Sequence, residues 1–140
     1  MGGMSRSERE TFLKKPHVGI LSINNPGYGP LAVPIWYDYT PDDHLWFLTG
    51  RDSLKGQLLE EGIRVSLVSQ NENPPYSYVS VEGPIFEITS TSRSDLLSMA
   101  VRYLGDDGGE EYTKETEAYN AEDGILVRVR PERWLTVDYS

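Results

Sequence analysis

The chain has 140 residues, one domain's length and enough to bury a core unaided, and its 13 basic and 22 acidic residues leave a net charge of −9. That balance argues against a nucleic-acid partner, whose backbone has to be met by Lys and Arg, but leaves room for a local basic pocket around a small phosphate. With no cysteine, disulfides, thiolate metal sites and Cys nucleophiles are excluded.

The first ten residues are polar and charged where the apolar core of a leader would sit. Ser5 and Ser7 are cap candidates for a short helix, with Glu8 and Glu10 in its first turn, Phe12 and Leu13 as its apolar face and Pro16 as its stop. Residues 17–23 read as a strand, and Asn24-Asn25-Pro26-Gly27-Tyr28-Gly29 as a turn. The same turn interrupts the uncharged stretch 18–37 and defeats a membrane helix there. A cytoplasmic protein with no membrane partner is the expectation.

Residues 30–39 read as a second strand with Pro34 inside it, which marks an edge, a bulge or a functional irregularity. Residues 44–49 make a third, and the three form an antiparallel meander. Residues 53–61 read as a helix capped by Ser53 or Asp52 and ended by Gly62. A fourth strand follows at 63–69. Residues 76–88 read as one long strand bent at Gly83-Pro84. Residues 92–104 carry Leu96, Leu97, Ala100, Val101 and Leu104 at helical spacing. The acidic run from Asp106 to Glu111 reads as a loop, 113–120 as a further helical turn, and 125–129 and 134–139 as the last strands. This order predicts a single, mainly β domain over residues 1–140: an antiparallel split β-barrel of six or more strands with short flanking helices.

Chemistry concentrates in a few places. Thr49-Gly50-Arg51-Asp52-Ser53-Leu54-Lys55 lies between a strand and a helix, and brings two hydroxyls and two cations to one turn, as a phosphate requires. Read locally, the same residues are a polar helix cap with solvated cations. Pro34, Ile35 and Trp36, with Tyr37, offer a flat apolar wall for a planar ring, or else the core and rim of a barrel. Alternation puts Tyr76, Tyr78, Ser80 and Glu82 on one strand face, suited to a ligand, a subunit contact or solvent. His17 and His44 are the only histidines and have no zinc spacing; there is no G-x-S-x-G elbow, and the acidic run lacks the register of a calcium loop, so no metal site is expected. With so few acid–base side chains, redox chemistry would have to come from a bound cofactor.

Five segments in order resemble a known family. Pro30-Leu-Ala-Val-Pro-Ile-Trp-Tyr37, Leu45-Trp-Phe-Leu-Thr-Gly-Arg-Asp-Ser-Leu-Lys55, Gly62-Ile-Arg-Val-Ser-Leu67, Tyr78-Val-Ser-Val-Glu-Gly-Pro84 and Arg130-Pro-Glu-Arg-Trp134 are similar to successive elements of the pyridoxamine 5′-phosphate oxidase-like FMN-binding split-barrel family, including its deazaflavin (coenzyme F-420) branch. The resemblance implies a homodimer with two cofactor sites at the interface. It implies that Thr49, Ser53 and Lys55 hold the cofactor phosphate with help from Arg51, that Pro34, Ile35 and Trp36 flank the ring, and that Tyr76, Tyr78 and Trp134 reach in from the partner chain. It departs from the vitamin-specific oxidase at Leu54, where that oxidase has a basic residue, and in a C-terminus with no arginine after Trp134. It departs from the F-420 branch at Leu58, in place of a frequent Asn. The expectation is an FMN-dependent oxidoreductase that moves a hydride between its cofactor and an unidentified small-molecule substrate. F-420 is the alternative cofactor, and a non-enzymatic flavin or haem binder the alternative role. No catalytic side chain is assigned; Tyr37 and Tyr76 are candidate proton donors.

Overall fold

The computed structural model describes residues 2–140. The chain opens with α1 (Arg6–Lys14), whose start is a capping box: Ser5 Oγ accepts the Glu8 N–H while the Glu8 carboxylate accepts the Ser5 N–H. Phe12 and Leu13 are its buried face.

Eight strands follow: β1 (Gly19–Ile23), β2 (Leu31–Ile35), β3 (Tyr37–Thr40), β4 (His44–Gly50), β5 (Arg64–Asn71), β6 (Ser77–Ser90), β7 (Gly124–Val129) and β8 (Arg133–Asp138). The short helix α2 (Leu54–Leu58) follows β4, and α3 (Arg93–Asp123) links β6 to β7. All strand pairs are antiparallel, in the order β2-β1-β5-β6-β7-β4-β3. Residues on β2 and β3 are sequence neighbours, yet these strands stand at opposite ends of that order. The chain therefore crosses from one edge to the other at Trp36, and the sheet curls around a core of Leu21, Ile23, Tyr37, Phe47, Val79 and Val127.

The split in the barrel lies along β6. Residues 77–82 pair with β8, and from Ile85 onward the strand pairs with β7 instead. The exchange of partners falls at Gly83-Pro84, where the sequence placed the bend. Among the described residues no helix is long and apolar enough to cross a membrane.

Three expectations are corrected. The strand expected over 30–39 is two strands broken at Trp36, so there is no continuous three-strand meander: β1 pairs with β2, and β3 with β4. Strand propensity runs unbroken through Trp36, and only barrel closure shows where the partner changes. The helix expected over 53–61 is one turn ending at Leu58, so Gly62, at a φ of 95°, serves the turn into β5 rather than a helix end. The acidic run is no loop. Helix α3 breaks only at Gly105, whose φ of 81° suits glycine, and resumes through residue 123. Its acids face water while Gly109 and Thr113 are buried, which gives the second arm a face to pack.

Candidate functional site

A cavity of about 600 Å³ lies within the size range of small-molecule sites. Two walls enclose it. The inner wall comes from the β2–β3 junction, the end of β4 and α2, through Pro34, Ile35, Trp36, Leu48, Thr49 and Lys55. The outer wall is α3, through Leu96, Met99 and Ala100 before the Gly105 break and Tyr112, Thr116, Tyr119 and Asn120 after it.

The turn after β4 is built by hydrogen bonds to its own backbone. Ser53 Oγ donates to the Gly50 carbonyl (2.7 Å) and accepts the Gly56 N–H (3.0 Å). Its only proton is thereby committed, so in the 3.3 Å contact with Thr49 Oγ1 the threonine is the donor. Arg51 donates from Nη1 to the Gly56 and Leu59 carbonyls and closes the short helix rather than facing the cavity. Gly56 is required here, since a Cβ would stand 2.0 Å from the Gly50 carbonyl oxygen. Lys55 remains as the cation that lines the cavity. It is half-buried, no acid pairs with it among the described residues, and burial holds its ammonium below the ordinary lysine range.

The aromatic part of the wall is equally fixed. Trp36 stacks on Tyr103 at 5.0 Å with 6° between the planes and meets Tyr112 at 5.2 Å. The Tyr103 hydroxyl accepts the Tyr37 N–H (3.0 Å) and shares its proton between the His17 and Tyr37 carbonyls (2.9 Å each). Arg102 beside it donates to the carbonyls of Leu13, Lys14, Lys15 and Tyr37 and lies 3.3 Å from the Asp38 carboxylate. Because β2 pairs with β1 alone, its other edge keeps unpaired backbone groups beside this wall.

Of the residues singled out from sequence, Pro34, Ile35, Trp36, Thr49 and Lys55 meet in one cavity. Ser53 and Arg51 support it from behind. Tyr76 and Tyr78 stand elsewhere: Tyr76 is exposed just before β6, and Tyr78 is on the outward face of that strand. Trp134 lies in register with buried Val81, under the Arg9 guanidinium (4.0 Å) and edge-on to Tyr39. Tyr37 is wholly buried. Its hydroxyl donates to Ser69 Oγ (2.9 Å), and burial pushes its pKa up to about 12, so it offers the cavity no proton. Neither His17 nor His44 lines the cavity.

Sequence reasoning read helix over 92–104 and a helical turn at 113–120, but gave neither a place in the site. Tyr112, Thr116 and Tyr119 recur at i, i+4, i+7, a helical signal masked by the glycines and acids ahead of it. It also missed Arg102 and Tyr103, whose role depends on which carbonyls the fold brings to them.

A family model described as Pyridoxamine 5′-phosphate oxidase matches residues 6–138. No curated protein matches the sequence. Among solved structures, a conserved hypothetical protein from Mycobacterium tuberculosis is 24% identical at a TM-score of 0.74, over 97% of this chain and 86% of that one. A protein named F420 Reductase is 20% identical at 0.64, over 90% and 94%. An FAD and heme binding protein from Mycobacterium smegmatis is 14% identical at 0.70, over 96% and 71%. At these identities the likeness extends to the fold.

Proposed function

The chain belongs to the pyridoxamine 5′-phosphate oxidase family, and on that premise we propose that it is an FMN-binding oxidoreductase in which a hydride passes between the bound flavin and a small molecule. The observation that carries this reading is the unpaired, half-buried Lys55 ammonium, which lines the same cavity as Thr49 and the Pro34–Ile35–Trp36 wall. A cation partly withdrawn from water without a counter-ion is favoured by an anion that joins it, and a flavin's phosphate is such an anion at the end of a flat ring.

In this reading Lys55 binds the phosphate and Thr49 turns its hydroxyl proton from Ser53 Oγ toward it, while Ser53 and Arg51 hold the turn that presents them. Pro34, Ile35 and Trp36 orient the ring, with the free edge of β2 available to its polar rim. The flavin supplies the hydride chemistry when bound. The chain supplies position, an apolar surround and the fixed Trp36–Tyr103 stack. Haem is not favoured, because no histidine lines the cavity.

A homodimer completes the proposal. Register places Pro34, Ile20, Val68, Ser80 and Leu135 in one row across the outward face of β2, β1, β5, β6 and β8. Ile20 is 40% exposed and Leu135 59%, and exposed Val18 adjoins them, so the row is an apolar patch that a second copy would cover. Pro34 and Val18 also line the cavity, so a copy seated there would close its rim. Tyr76 and Tyr78 face that partner, and Trp134 supports the same sheet from within.

The test is titration of FMN and riboflavin into the wild-type protein and Lys55→Ala. The loss of a charge-assisted bond worth about 1.5–3 kcal/mol lowers FMN affinity about ten- to a hundred-fold. Riboflavin, which lacks the phosphate, is held as before; an equal loss for both ligands would remove the phosphate role. Coenzyme F-420, with its longer and more anionic tail, is titrated alongside and decides between the two cofactors.

A further inference from the structure

We infer that the second ligand of this cavity, the molecule that exchanges a hydride with the flavin, is an uncharged ring compound, and that anionic analogues are turned away. The inference rests on the flavin reading above.

Three observations carry it. Lys55 is the only charged side chain among the described residues that line the cavity; the other polar groups there are the neutral Thr49, Thr116, Asn120 and the tyrosine hydroxyls. Once its ammonium is matched by a cofactor phosphate, a second anion inside would have no cation to meet it. An unpaired charge out of water costs far more than a neutral group that finds a hydrogen bond.

The second observation is where the charge of the molecule sits. Residues 106–123, the arm that supplies Tyr112, Thr116 and Asn120, hold eight acids and one lysine, which is −7 of the chain's −9. An anion approaching that wall meets a repulsive field over a Debye length of about 8 Å at physiological salt.

The third is that nearby cations are already committed. The Arg51 guanidinium is bound to the Gly56 and Leu59 carbonyls. On the apolar outward face, Arg133 lies 3.4 Å from Glu82, and Arg64 pairs with Glu132. What the cavity does offer beside the ring site is apolar surface with neutral donors and acceptors on one helix face, which suits a carbonyl or hydroxyl on an uncharged ring.

The experiment uses the protein loaded with oxidised FMN and compares binding, by calorimetry, of 1,4-naphthoquinone with its 2-sulfonate, which has the same ring and one added negative charge. The neutral quinone is expected to bind at least tenfold more tightly. A cation placed on the outer wall by Thr116→Lys, or by Asn120→Lys should the first fail to fold, narrows that gap at least fivefold. Equal or tighter binding of the sulfonate by the wild-type protein, or binding of neither probe while FMN is held, overturns the inference and leaves the cofactor assignment standing. Failure of FMN itself to quench on titration is a different result: it overturns the flavin reading, and this inference with it.

Discussion

The two walls of the cavity are held by different kinds of interaction. Behind the inner wall, Arg102 is 11% exposed at its side chain and spreads its donors over four carbonyls from α1 and the β2–β3 junction. Tyr103 fixes the same junction through its hydroxyl. The outer arm, beyond Gly105, is tied back by the Arg93–Glu117 pair at 2.9 Å, with both side chains about half exposed, and by Asp123, which accepts from Tyr119 and the Asp52 N–H. Buried, multiply bonded groups give one geometry; exposed ion pairs exchange with water and add little. The wall proposed to orient a flavin is thus the pinned one, and the arm of the outer wall beyond Gly105 is the loosely tied one.

Arg102→Ala breaks the contrast most severely. It leaves the Leu13 and Lys14 carbonyls without the guanidinium, takes one of two donors from the Lys15 and Tyr37 carbonyls, and leaves Asp38 without its cation. The removal of one partner from a buried pair costs about 3–5 kcal/mol, which lowers the melting midpoint by roughly 10 °C or more. Arg102→Lys does not restore it, because a single ammonium cannot reproduce the fork. A wild-type midpoint for Arg102→Ala in thermal denaturation would mean that the two walls are equally loose.

Lys55 sharpens the contrast through pH. Burial lowers its pKa in the folded, ligand-free protein, so the folded state gives up this proton more readily than the unfolded one. The cost of burying the ammonium is present at neutral pH and fades as pH rises through the lowered pKa, so this group makes the ligand-free protein more stable toward alkali. FMN affinity moves the opposite way, falling by about tenfold or more as the charge is lost, and the fall begins below the ordinary lysine range. Lys55→Ala flattens both profiles, read by thermal melts and flavin fluorescence across pH 7–10.5. Parallel rather than opposed trends in the wild type would contradict the assigned role.

The smallest effect is expected on the outer arm. Glu117→Gln removes an exposed pair worth about 0.2–1 kcal/mol, so the midpoint drops by no more than about 3 °C and the difference shrinks in 1 M salt. A larger, salt-independent loss would place this arm with the pinned wall.

Much of the inner wall was legible in sequence because it is local. Thr49, Ser53 and Lys55 lie within seven residues, Pro34 announces an edge, and hydroxyls and cations at a strand–helix turn have a recognisable chemistry. The family resemblance added which of these would hold a phosphate. The outer wall was legible only as two separate helical pieces, because glycines and acids between residues 105 and 111 are the composition of a loop; in the fold Gly109 packs closely on Val101 of the first arm and Thr113 is buried.

The sequence by itself determined the strand-rich character of the protein, the ends of most elements, the bend at Gly83-Pro84 and the hydroxyls and cations gathered at the turn after β4, since alternation, caps and turn residues act over a few positions. Only the tertiary structure decided that the chain changes sheet edge at Trp36, that Arg102 and Tyr103 clamp that point, that Arg51 serves the backbone while Lys55 faces the cavity, and that an acidic helix closes it. Those outcomes depend on which distant carbonyls and side chains barrel closure brings within hydrogen-bonding reach, and no local pattern of residues encodes that distance.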